Sequence, residues 1–192
     1  MSQRIALFGG TFDPIHNAHL TVAREAAHEF QLDRVLLIPA AHPPHKPNDQ
    51  ITPYEDRYQM VALACAGDPL LEASRLEEGE QKSYSIDTIE RVRQTLHPED
   101  RLYFVIGADA FHEIETWHRW QDVIASVEFI VVTRPGHAYV TPPGAKVSRL
   151  DTLALAISSS DIRHRLASGD QPAEVPPEVW AYIREHHLYV GT

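Results

Sequence analysis

His16 and His19 stand three positions apart in FGGTFDPIHNAHL (Phe8–Leu20), behind two glycines, Gly9 and Gly10, and a Thr11-Phe12-Asp13-Pro14 turn. The chemistry open to such a set is anion binding. Glycines at the end of a strand let the backbone approach a ligand with no Cβ in the way. A helix starting just behind them offers unpaired N–H groups and a positive dipole end. Imidazoles at i and i+3 of a first helical turn share a face and can donate to phosphate oxygens. The pattern is not a P-loop, because no Gly-Lys-Ser/Thr follows, and it is not the G-x-G-x-x-G dinucleotide fingerprint. Other readings stay open here. Gly-Gly serves a plain turn equally well. Two histidines can also ligate a metal, although HNAH lacks the Glu of H-E-x-x-H and no third ligand follows nearby. A solvated helix end is a third reading.

A second cluster lies far down the chain. ISSSDIRHRL (Ile157–Leu166) sets three serines before a helix, with Ser158 and Asp161 in capping-box spacing. Ser158 reads as an ordinary N-cap. The spare hydroxyls of Ser159 and Ser160, the free N–H groups and Arg163 on the first turns also suit a phosphate cradle. His45 and Lys46 sit in PPHK, inside a proline-rich run after Pro39; the plain reading of Lys46 is a solvated surface lysine. Cys65, the one cysteine, lies in the apolar run MVALACAG and reads as a small core residue, so no intrachain disulfide framework exists.

These residues need a scaffold. Apolar RIALF (Arg4–Phe8) predicts a buried strand meeting Gly-Gly, and Val22, Ala26 and Phe30 mark one helix face over Ala18–Phe30. RVLLIP (Arg34–Pro39), RLYFVIGAD (Arg101–Asp109, the strand ending in Gly107) and EFIVVTRPG (Glu128–Gly136) predict further strands, with KVSRL (146–150) as a short last one. Tyr54–Ala66 and the stripe Ile86, Ile89, Val92, Leu96 predict helices; SSSDIRHRL and PPEVWAYIREHH predict two closing ones. Strands alternating with helices give an α/β fold: a Rossmann-like, doubly wound, mostly parallel sheet with helices on both faces. The segments after the strands should then converge on one cleft at the sheet's carboxyl edge.

With 192 residues, 43% hydrophobic and 23% charged, the chain suits a single globular domain, 1–192, whose C-terminal part from about 155 is helical. A net charge of -10 argues against a broad nucleic-acid surface, so an anionic ligand must meet a local cluster. The N-terminal apolar run is too short for a signal peptide, and no stretch approaches the ~18–20 apolar residues of a membrane span. The expected compartment is the cytoplasm.

Taken jointly, the motifs resemble a known set. GGTFDPIHNAHL resembles the GGTFDPxHxGH signature of the nucleotidyltransferase α/β-phosphodiesterase superfamily, and ISSSDIR resembles its ISSTxIR signature. With PPHK, SYSIDT and GADAFHEIETWHRW between them in order, the chain is similar almost end to end to bacterial nicotinate-nucleotide adenylyltransferases. The resemblance implies adenylyl transfer from ATP to nicotinate mononucleotide in NAD biosynthesis, on a Rossmann-like fold. It implies an ATP site of Gly9, Gly10, Thr11, Phe12, His16, His19, Gly107, Asp109, Ile157, Ser159, Ser160 and Arg163, with Gly9 to Phe12 as a wall between the nucleotides. It places His45, Lys46, Ser85, Trp117 and His118 on the nicotinate nucleotide, with Ser85 and Trp117 in the nicotinate pocket and the nucleotide met by Lys46 left open. His16, His19, Arg163 and Lys46 carry the catalytic roles it implies. Mg²⁺ would arrive on the ATP phosphates rather than in a protein cage, the partners are small molecules with no nucleic acid or membrane, and homo-oligomerisation is left open. Ala18 stands where the family usually has Gly, Ser85 and Ser160 where Thr is common, and His118 where an aromatic such as Tyr is frequent. The alternatives are a phosphopantetheine adenylyltransferase-like enzyme and, from another class, a histidine-rich metallohydrolase.

Overall fold

The computed structural model describes residues 2–43, 51–79, 84–153 and 157–190. His45 and Lys46 therefore lie outside the described residues. The strands are β1 (Arg4–Gly10), β2 (Arg34–Pro39), β3 (Leu71–Ala73), β4 (Arg101–Gly107), β5 (Glu128–Thr133) and β6 (Lys146–Asp151). They form one sheet in the order β3-β2-β1-β4-β5-β6, and every pairing is parallel. The helices are α1 (Asn17–Glu29), α2 (Tyr54–Cys65), α3 (Ser85–Arg93), α4 (Ala108–His112), α5 (Trp120–Ser126), α6 (Ser159–Ala167) and α7 (Pro177–Glu185), with a 3-10 turn at Ile114–Thr116. The strand order reverses between β1 and β4, so this is where a crevice opens at the carboxyl edge.

Alternation along each strand feeds two cores. Ala6, Val35, Leu37, Val105, Ile130 and Val132 face a cluster completed by α1, α2, α6 and α7. Ile5, Leu7, Leu36, Ile38, Phe104, Phe129 and Val131 face a second one, completed by α3, α4 and α5. Burial on both faces is why the strands read as near-continuous apolar runs.

The structure corrects several readings. β1 does not stop at Phe8: Gly9 and Gly10 stay in the ladder, opposite Ile38 and Pro39, and the turn starts at Thr11. Parallel pairing with β2 carries the strand through the glycines, and the Ala40 N–H donates to the Gly10 carbonyl just beyond it. The strand expected over Glu128–Gly136 stops at Thr133, while β4 ends at Gly107 as read, and Ala108 and Asp109 belong to α4. Strand β3, α4 and α5 had no periodic signal, because elements of three, five and seven residues are too short to show one. Cys65 is buried, and burial pushes its thiol up to about 12, as an inert core residue requires.

Phe129 is 0% exposed, packed against Phe104 and Phe111 at ring distances of 6.0 and 5.1 Å. Phe129→Ala should lower unfolding free energy by about 3–5 kcal/mol in urea titration. Leu153→Ala, at a residue 82% exposed, should stay within about 0.5 kcal/mol.

Candidate active site

The turn after β1 is the centre of the site. His16 is not inside α1 but caps it, with an extended backbone (φ -147°, ψ 170°), while His19 lies in the first turn. The two rings stack at 3.8 Å and 24°. The His16 N–H donates to His19 Nδ1 at 3.3 Å, which leaves the His19 proton on Nε2. His16 is 3% exposed, and its Nδ1 is buried with no hydrogen-bond partner among the described residues. Burial pulls the His16 imidazole down to about 4, against the opposing charge of Glu174. Burial, then the neighbouring His16, holds His19 well below the usual histidine range. Both rings are thus neutral at pH 7. In this state they present hydrogen-bonding dipoles rather than cations.

The helix N-terminus is less open than its sequence suggests. The Asn17 N–H is taken by the Glu174 carbonyl at 2.8 Å, from the α6–α7 connection, and the His19 N–H turns back to the His16 carbonyl at 3.0 Å.

Phe12 lies beneath the histidine pair. It adopts a left-handed φ of 49° and is 1% exposed, with its ring edge-on to Phe8 and to His19. Its side chain is a core wedge against Phe8 and His19, so what Phe12 offers the cleft is its backbone. This explains Gly10, where a Cβ would stand 3.0 Å from the Phe12 ring. At Gly9 and Gly107 a Cβ would meet nothing within 4 Å, so these two leave open space at the carboxyl ends of β1 and β4.

The ISSSDIR run docks directly on this turn. Arg163 Nη1 donates to the Asp13 carbonyl at 2.7 Å, and the Ser159 hydroxyl donates to the Pro14 carbonyl at 3.2 Å. Arg163 Nη2 also reaches the Ser160 hydroxyl at 3.2 Å. Ser158 is the N-cap, as read, but its Oγ accepts from the Ser160 N–H, with no reciprocal bond from Asp161. Many other arginines sit in exposed ion pairs, such as Arg24–Asp68, Arg101–Glu128 and Arg165–Glu174. Among the described residues Arg163 meets only neutral acceptors, so its charge stays available to an anion. Ile157 packs on the first core just before α6, and Asp109 is exposed on α4 at the end of β4.

On the other face of the sheet, Ser85 opens α3 and Trp117 follows the 3-10 turn. The two motifs meet: the Tyr84 ring lies 4.5 Å from His118, and Arg119 bonds Glu90 of α3 at 2.8 Å. Trp117 is half-buried, edge-on to Phe104 at 6.0 Å. Arg119 is held by Glu90 and Asp122 and is not free for a ligand.

Three residues beneath the turn were absent from the sequence-derived set. The Asp13 carboxylate, 2% exposed, accepts from the Tyr189 hydroxyl at 2.6 Å and the Thr52 N–H at 3.4 Å. Arg57 is 1% exposed and donates to the carbonyls of Thr52, Thr11 and Ala40, each at 2.8 Å, and of Ala41 at 3.4 Å. Burial lowers its pKa, with Asp13 opposing. An unpaired buried guanidinium costs several kcal/mol, and charge-assisted bonds of about 1.5–3 kcal/mol each offset it. A signal existed: Arg57 shares the i, i+3, i+4, i+7 stripe with Met60, Val61 and Ala64, all buried. Tyr189 gave none.

Among the described residues no three His, Cys, Asp or Glu side chains are grouped to hold a metal. No helix among them is long and apolar enough to cross a membrane.

Residues 7–165 match the cytidylyltransferase-like family model. A "Probable nicotinate-nucleotide adenylyltransferase" of Solibacter usitatus is 60% identical over 97% of this chain and 99% of its own length. The chain belongs to the nicotinate-nucleotide adenylyltransferase family. A Pelobacter propionicus protein of the same printed name is 42% identical over 97% of this chain and 98% of its own. The fold matches the Plasmodium falciparum nicotinic acid mononucleotide adenylyltransferase complexed with NaAD, with a TM-score of 0.78, 21% identity and 97% coverage of both chains. A second structure of that protein, complexed with APC, gives a TM-score of 0.77 at 20% identity and the same coverage. In this family member, then, the two signature runs are one physical unit.

The buried imidazole makes stability depend on pH. His16 titrates near 4 when folded, below its ordinary value of 6.5, so between these values the unfolded chain binds the extra proton. Stability is fully present above pH 6.5 and is lost as pH falls toward 4, by up to about 1.4 kcal/mol per pH unit for this residue. The ligand-free protein should melt lower at pH 5 than at pH 7, and His16→Gln should flatten that difference in thermal scans.

Proposed function

We propose that this chain transfers the adenylyl group of ATP to nicotinate mononucleotide, giving nicotinate adenine dinucleotide and pyrophosphate in NAD biosynthesis. The observation that carries the reading is the docking of α6 on the signature turn, where Arg163 and Ser159 bond the Asp13 and Pro14 carbonyls beside a neutral histidine stack. The relatives' names supply the reaction; this geometry supplies its means.

A phosphate oxygen of the mononucleotide attacks the α-phosphorus of ATP. The new P–O bond forms in line as the bond from the α-phosphorus to the bridging oxygen breaks, and pyrophosphate leaves with that electron pair. The nucleophile is already an anion, so no general base is needed, and positioning and electrostatics do the catalysis. His19 Nε2–H and the His16 ring donate to the phosphates as dipoles. Arg163, with Ser159 and Ser160, holds the triphosphate and supplies charge, and Lys46 and His45 meet a nucleotide phosphate. Gly9, Gly10 and Thr11 give backbone between the nucleotides, while Gly107, Asp109 and Ile157 border the adenosine side. Mg²⁺ would arrive on ATP and would neutralise phosphate charge there, and Asp109, exposed on α4, is a carboxylate that would meet it. Trp117 stacks on the nicotinate ring, and backbone N–H groups near Ser85 and His118 receive its carboxylate. A cytoplasmic location belongs to the same reading and rests on the composition.

Pyrophosphate release from ATP should occur with nicotinate mononucleotide in a panel that also offers nicotinamide mononucleotide and phosphopantetheine. Turnover with phosphopantetheine alone would overturn the reading. His19→Ala should lose far more in kcat than in KM, by about 3 kcal/mol or a hundredfold. Asn17→Ala, whose side chain among the described residues bonds only the Ala173 carbonyl at the surface, should be close to silent.

The acid should be preferred to the amide by at least about tenfold in kcat/KM, because an amide leaves one buried donor unpaired. Trp117→Ala should weaken both substrates and leave that ratio mostly intact.

A further inference from the structure

We propose that Tyr189 is a positioning residue for the ATP side of adenylyl transfer: its hydroxyl holds the Asp13 carboxylate inside the fold and so keeps it off Arg163. The inference rests on the reaction proposed above and adds a residue to it.

Asp13 carries its carboxylate where a charge is poorly hydrated. It is 2% exposed, in the turn between β1 and α1. Among the described residues that carboxylate has two bonds, the Tyr189 hydroxyl at 2.6 Å and the Thr52 N–H at 3.4 Å. The first is short and charge-assisted, and the second is long. The Thr52 side chain in turn bonds the Tyr189 hydroxyl. Burial, then the Asp13 charge and hydrogen bond, push that hydroxyl well above the ordinary tyrosine range, so it stays a donor.

The backbone is uncommon at this tyrosine. His187 and Tyr189 both have left-handed φ angles, 51° and 59°. His187 has a local reason: it closes α7, with its N–H on the Arg184 carbonyl and the Leu188 N–H on the Ile183 carbonyl. Tyr189 ends no helix. Such a conformation costs free energy in a residue with a side chain and persists where the surroundings demand it. The Tyr189 ring packs on the first core. A phenylalanine ring would serve that packing equally, so the hydroxyl answers to Asp13 and Thr52 alone.

Asp13 joins this bond to the phosphate site. Its carbonyl takes Arg163 Nη1 at 2.7 Å, and the next carbonyl, of Pro14, takes the Ser159 hydroxyl at 3.2 Å. Arg163 meets no carboxylate among the described residues. Without the Tyr189 hydroxyl, the Asp13 carboxylate keeps only the long Thr52 bond. A buried charge so poorly partnered moves toward water or a cation. Arg57 feels the Asp13 charge but is already engaged by four carbonyls. Arg163 stands at the carbonyl of the same residue. A carboxylate that swings to it cancels the charge meant for the triphosphate and shifts the carbonyls that orient Arg163 and Ser159. The loss therefore falls on ATP.

The test is steady-state kinetics of Tyr189→Phe, per folded protein, with Tyr182→Phe as the control. Tyr182 also donates its hydroxyl to a carboxylate, that of Asp56 at 2.9 Å, in a bond that joins α7 to α2 and not to the turn. Tyr189→Phe should lower kcat/KM for ATP at least tenfold and change KM for nicotinate mononucleotide less than threefold. Tyr182→Phe should leave both within about twofold. In an Asp13→Asn background, which has no charge to hold, Tyr189→Phe should cost less than threefold. Normal kinetics in Tyr189→Phe, an equal loss in Tyr182→Phe, an undiminished loss in the Asp13→Asn background, or failure of Tyr189→Phe to fold at room temperature would each overturn the proposal and make Tyr189 a residue of the core alone. Failure of the substrate reading is seen separately, in an unmutated protein that does not use nicotinate mononucleotide.

Discussion

The turn from Thr11 to His16 is held almost entirely by groups remote in sequence, and the arrangement of the site follows from that. Arg57 of α2 takes the Thr11 carbonyl, Arg163 of α6 the Asp13 carbonyl, and Tyr189 near the C-terminus the Asp13 carboxylate. Ser159 takes the Pro14 carbonyl, and the Glu174 carbonyl receives the Asn17 N–H. The partners of the Arg163 bond are 150 positions apart and those of the Tyr189 bond 176. Such a turn has little local hydrogen bonding to hold it, so its shape is a property of the finished fold.

The same arrangement answers an electrostatic problem. A chain of net charge -10 must bring two polyanions together. In the proposed reaction it does so with dipoles and with Arg163, which meets no carboxylate among the described residues. Stacking and burial keep His16 and His19 neutral, so each ring presents one N–H without repelling its neighbour. Arg163 is positioned by carbonyl and hydroxyl oxygens, which orient the guanidinium without cancelling its charge. Exposed pairs such as Arg101–Glu128 belong to a different economy, at the amino edge of the sheet, and contribute little beyond solubility.

The sheet divides the labour. The histidine pair, Arg57 and Arg163 hang on the helices of one face, while Ser85, Trp117 and His118 hang on the other. Both faces meet the carboxyl edge where the strand order reverses between β1 and β4. Two nucleotides approaching from opposite faces would meet there.

The sequence by itself determined the α/β class, the long strands and helices, and the signature residues, because apolar periodicity and motif spacing are local properties of the chain. It showed His16 and His19 as a pair, the ISSSDIR run as a helix start, and Cys65 as core. Only the tertiary structure decided what those residues face. It put Gly9 and Gly10 inside β1, because pairing with β2 extends the strand. It buried the Phe12 ring, made both histidines neutral, and filled the first N–H of α1 with the Glu174 carbonyl. It recruited Arg57 and Tyr189, which belong to no phosphate-binding motif. Desolvation and long-range hydrogen bonds depend on which segments the fold brings together, and no window of neighbouring residues contains that information.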